Sequence, residues 1–86
     1  MNKDCIKQLL ENGFESNGCD WSISRGGLKI AIKRAQFTNP FDSSVVWIVW
    51  LFVNGKPVLK ESKPNYDPKD AVDFAVELAN RLKEVN

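Results

Sequence analysis

The chain has 86 residues, enough for one hydrophobic core and too few for two domains. An apolar content of 43%, with three Trp and five Phe, excludes a chain that stays disordered for want of buried area. There is no His and there are two Cys, so Ser-His and Cys-His nucleophile pairs are excluded and the usual zinc constellations cannot be completed.

The formal net charge is +1, but it is segregated: residues 1–24 carry −2, residues 25–63 carry +5 and residues 64–86 carry −2. Lys3, Asp4 and Lys7 stand where the apolar core of a signal peptide would lie. The longest apolar run, residues 45–53, is nine residues, about half of what a membrane helix needs. These features predict a cytoplasmic chain with no membrane partner and reduced thiols, in which Cys5 and Cys19 serve as small apolar fillers.

In chain order, the first element is a short helix. Asn2 or Asp4 is its N-cap, Ile6, Leu9 and Leu10 follow helical spacing, and Gly13 ends it, with Phe14 packing back. Two alternating segments follow, Cys19, Trp21 and Ile23 in the first and Leu28, Ile30 and Ile32 in the second, joined at Gly26-Gly27. A two-residue turn there sets Ile23 opposite Ile30, Trp21 opposite Ile32 and Asp20 opposite Lys33. Leu28 to Ala35 is the strand, and residues 38–44 are expected to form a loop. The run VVWIVWLFV is a third strand, closed by Asn54-Gly55, the strongest short hairpin signal. A fourth runs from Lys56 to about Ser62, with Pro57 placing it at a sheet edge. Asp67-Pro68-Lys69-Asp70 opens the last helix, which runs to about Glu84. Its expected buried stripe is Ala71, Phe74, Ala75, Leu78, Leu82 and Val85, with Asp73, Glu77, Asn80 and Glu84 on the wet side.

The fold class that follows is α+β, a single domain over residues 1–86. An N-terminal helix, a four-stranded antiparallel meander and a C-terminal helix make it up, both helices on one face of the sheet. With regular pairing across Asn54-Gly55, Val46, Ile48, Trp50, Phe52, Pro57 and Leu59 share one face. Trp47, Val49, Leu51, Lys56, Val58 and Lys60 share the other. Burying Lys56 and Lys60 under a helix would cost more than exposing Val49 or Leu51, so the second set is expected to face outward. The first hairpin adds Lys29, Ala31 and Lys33 to that side. A loop over residues 38–44, carrying Phe41, is the alternative cover for this patch.

Residues 5–14, CIKQLLENGF, resemble the opening helix of HicA-type toxins, whose fold resembles that of double-stranded-RNA-binding domains. The resemblance implies a functional His just after the helix, and this chain has none, so that activity is not carried over. The helix, strands, helix order is also similar in outline to a double-stranded-RNA-binding domain. That family uses a basic start to its last helix, where this chain has the acidic Tyr66-Asp-Pro-Lys-Asp70.

No catalytic group emerges. Asp67 and Asp70 are explained by capping, Asp73 and Glu77 by a solvated helix face, and Arg25-Gly26-Gly27 lacks the lysine and helix of a phosphate loop. No cofactor, metal or small-molecule substrate is expected. The expected function is a non-enzymatic protein-binding module, an inhibitor, adaptor or phage-type accessory protein. Trp47, Val49, Leu51 and Val58 would form its apolar centre, rimmed by Lys29, Lys33, Lys56 and Lys60, and would dock onto an acidic protein or onto a second copy of the chain. The alternative is single-stranded nucleic-acid binding on the same face.

Overall fold

A computed structural model of the chain describes residues 1–18, 20–39, 42–61 and 65–85, with the backbone alone for residues 37–39, 42–43 and 83–85. The expectations for Cys19, for Phe41 as a cover and for Val85 and Glu84 as helix-face side chains lie outside what is described.

Helix α1 spans Lys3–Glu11, and the Asn2 side chain accepts from the Cys5 amide at 2.9 Å, an N-cap bond to the third helical residue. At the other end Gly13 takes φ +86°, the Phe14 amide donates to the Leu9 carbonyl at 2.9 Å and the Gly13 amide to the Leu10 carbonyl at 3.1 Å. That pair of bonds is a Schellman cap, and its hydrophobic contact is supplied by Leu9 and Phe14, both buried.

The sheet has five antiparallel strands in chain order: β1 (Glu15–Asn17), β2 (Asp20–Arg25), β3 (Leu28–Asn39), β4 (Asp42–Val53) and β5 (Lys56–Lys60). Two features correct the sequence reading. The three-residue β1, paired with β2 from Glu15↔Ser22 to Asn17↔Asp20, adds a strand to the four expected; it is polar throughout and carries no apolar alternation. The expected loop at residues 38–44 is largely strand, because β3 and β4 pair without a break from Leu28↔Val53 to Asn39↔Asp42. Twelve residues per strand make a ribbon of about 40 Å. It stretches the molecule to 46 × 28 × 20 Å and its radius of gyration to 13.1 Å, against about 12 Å for a compact chain of this length.

Both expected tight turns are present. Trp21 faces Ile32, Ile23 faces Ile30 and Arg25 faces Leu28, with Gly26 at φ +57° as the first central residue. Asn54 and Gly55 take φ +51° and +83°, the paired left-handed conformation of a type I′ turn. The two turns lie side by side: the Asn54 amide donates to the Gly27 carbonyl at 2.7 Å.

Helix α2 spans Pro68–Val85, with Asp67 accepting from the Lys69 amide at 2.9 Å and Pro68 in the first helical position. Its buried stripe is rotated by about one residue from the expected one. Ala71, Val72 and Ala75 are fully buried, Val76, Leu78, Ala79 and Leu82 pack around them, and Phe74 is 37% exposed. The alanines allow close approach of the helix backbone, which a Phe in the stripe would prevent.

One core cluster joins Cys5 and Leu9 of α1, Phe14, Ile30 and Ile32 of β3, Val49 of β4, and Ala71, Val72 and Ala75 of α2. Burial pushes the Cys5 thiol above its ordinary pKa, the signature of a filler rather than a nucleophile. The two helices are also tied at the surface, where Gln8 Nε2 donates to Asp73 Oδ1 at 3.1 Å. The Lys69 ammonium, 2.9 Å from Asp73, and then Gln8 hold the Asp73 carboxyl below the usual aspartate pKa.

Candidate functional site

The β3–β4 register decides which side chains share a face. Ile30 faces Leu51, Ile32 faces Val49 and Arg34 faces Trp47, so these residues form one side; Lys29 faces Phe52, Ala31 faces Trp50 and Lys33 faces Ile48 on the other. Val49 is 1% exposed within the core cluster, and Trp47, Leu51, Trp21 and Ile23 pack against that cluster. The expected outer face of Trp47, Val49 and Leu51 is thus the core face, and Trp50 and Phe52 stand with the lysines instead.

For Lys60 the cause is a β-bulge, while Lys29 and Lys33 follow from the unbroken β3–β4 register. Phe52 pairs with Pro57 but Leu51 pairs with Leu59, which leaves Val58 as an extra residue on β5. Beyond it every partner shifts by one, so Lys60 falls opposite Trp50 and Leu59 opposite Leu51. Lys56, opposite Val53 beside the turn, is exposed and has core-face parity. Of the residues expected to act together, the structure gathers Lys29, Lys33 and Lys60. It separates them from Trp47, Val49 and Leu51, leaves Lys56 at the turn and sets Val58 on the edge, 58% exposed.

Around Trp50 and Phe52 the geometry is specific. Two positions apart on β4, their rings stack with centroids 5.9 Å apart and an interplanar angle of 16°. Lys60 Nζ lies 4.9 Å from the Trp50 centroid and Lys29 Nζ 5.9 Å from that of Phe52; Lys33 Nζ is 5.8 Å from the first and 5.6 Å from the second. Lys29 is directly across from Phe52, Lys60 directly across from Trp50 and Lys33 diagonal to Trp50, the separations at which long side chains interact on one face, and Lys33 reaches on along the strand to Phe52. Exposed cation–π contacts of this kind stabilise by about 0.5–1 kcal/mol each. Ala31, between the two β3 lysines and opposite Trp50, is 2% exposed, so it forms the floor. Farther along β4 on this side Val46 is buried at 0%, so the open part of the face ends beyond Ile48.

Compared with models of protein families, with curated proteins and with solved structures, the chain returned no match. The site therefore rests on its own geometry. Ion pairs among the described residues are confined to the helices, at Lys7–Glu11, Lys69–Asp73 and Arg81–Glu77. None of the three lysines over the rings is in one. Glu61, the nearest acidic residue along the chain from Lys60, is engaged elsewhere: its Oε1 accepts from the Val49 amide at 3.0 Å and from Asn65 Nδ2 at 2.7 Å. With the Asn65↔Trp47 bridge, it continues the ladder along β4 where β5 ends.

A second concavity, about 510 Å³, opens on the core side among Met1, Ile6, Trp21, Arg34, Val45 and Trp47. It is where the part of Trp47 not packed on the core meets solvent. Among the described residues no three His, Cys, Asp or Glu side chains are grouped as metal ligands would be, and no helix is long and apolar enough to cross a membrane.

Proposed function

We propose that this chain is a non-enzymatic docking module that binds an acidic protein segment through the lysine-bearing face of its sheet, with both helices on the opposite face. The observation that carries the reading is the set of three lysines in no ion pair among the described residues, held over two stacked aromatic rings on β4. Clustered like charges raise the local potential, and a complementary acidic surface relieves it while the rings supply apolar contact. Inhibitor, adaptor and phage-type accessory roles all fit a small module of this kind, and a cytoplasmic setting accords with a reduced Cys5.

Single-stranded nucleic acid is the second reading, favoured by two aromatic rings on the exposed face where one was expected. The lysines weigh against it. They already cover the ring faces on which bases would stack.

The test is binding of a fluorescent ten-residue glutamate peptide and of a single-stranded oligonucleotide of equal charge, in about 50 mM salt. Saturable binding of the peptide that the Lys29→Ala/Lys33→Ala/Lys60→Ala variant loses without a change in melting is the expected result. Tighter binding of the oligonucleotide, with quenching of Trp fluorescence, transfers the face to nucleic acid. No binding of either removes both readings.

A further inference from the structure

The lysine-bearing face ends at the two tight turns in a concavity of about 390 Å³. Ser24, Gly27, Lys29, Lys33, Phe52 and Asn54 are among its walls, and among the described residues no carboxylate lines it. Lys29 and Lys33 approach one Phe52 ring at 5.9 and 5.6 Å, so two ammonium groups are held about a single small space. Gly26, Gly27 and Gly55 are exposed, and their amides donate none of the backbone hydrogen bonds of turns, loops and caps among the described residues. The Ser24 hydroxyl adds a neutral donor at the rim, and the Asn54 side-chain oxygen lies against Gly27.

Two positive charges and a hydroxyl beside exposed turn backbone, with no carboxylate among the described lining residues, suit an oxyanion. We propose that the concavity between the Gly26-Gly27 and Asn54-Gly55 turns is an oxyanion subsite that seats one carboxylate or phosphoryl group. The proposal rests on the docking reading in sharing Lys29 and Lys33 with that face, and it does not involve Lys60.

The experiment is a titration followed by backbone amide NMR shifts, with sodium phosphate and with N-acetylglutamate α-amide as probes. Sodium chloride at the same ionic strength is the control. Saturable shifts at Gly26, Gly27 and Gly55 that chloride does not reproduce are expected. Saturation by both probes supports a seat for an acidic side chain of the partner; saturation by phosphate alone supports a seat for phosphoryl groups. Lys29→Ala and Lys33→Ala each weaken the apparent affinity roughly two- to fivefold, and the double variant, with unchanged amide dispersion, no longer saturates. Shifts that grow linearly with either probe, as with chloride, overturn the subsite. So does loss of saturation in Lys60→Ala, which moves the anion to Trp50 and leaves the docking reading standing.

Discussion

At the scale of single residues, Val49 and Trp50 are adjacent in sequence and opposite in environment. Val49 is sealed in the core cluster, and Trp50 is half-buried under lysines. Val49→Ala removes two methyl groups from a site with no solvent to refill it, and is expected to cost about 2–3 kcal/mol. Lys60→Ala removes an exposed cation–π contact and is expected to stay within about 1 kcal/mol. Urea denaturation of the two variants checks this, and equal losses would show that the face assignment is wrong. The rule that lysines avoid the core face holds for Lys29, Lys33 and Lys60. It pointed to the wrong aromatic partner because it says nothing about register.

At the scale of elements, what was legible followed from local chemistry. The Asn2 and Asp67 caps, the Gly13 stop and both two-residue turns depend on residues within a few positions of one another, so spacing alone exposes them. The Val58 bulge depends on how β5 settles against β4, and no motif marks it. Parity counted outward from Asn54-Gly55 therefore fails after Pro57. If Val58 is the extra residue, deleting it restores regular pairing and keeps Lys60 opposite Trp50. The deletion variant is expected to melt within a few degrees of the parent and to keep the ring-current shifts of the Lys60 methylenes. Loss of those shifts in a folded variant would mean that β5 pairs without a bulge. The long ribbon was missed for a related reason: residues 38–44 are polar and contain Pro40, a loop composition, yet flanking strands of matched length carry the pairing outward on either side.

At the scale of the molecule, the same lysines that suit an acidic partner act against self-association through their face, since pairing two copies there would bring six ammonium groups together. Size-exclusion chromatography with light scattering in about 50 mM salt is expected to give one species at the 9.7 kDa chain mass. A dimer that disappears in the Lys29→Ala/Lys33→Ala/Lys60→Ala variant would show that this face pairs with itself. The sequence by itself determined the helices with their caps, the antiparallel hairpins and the concentration of positive charge in the middle of the chain, all set by contacts or counts that are local. Only the tertiary structure decided which side of β4 enters the core cluster and which aromatics stand with the lysines. A strand's side chains alternate with period two, so a single unpaired residue moves those beyond it on its own strand to the other face, and which face of β4 enters the core is set by packing across the sheet.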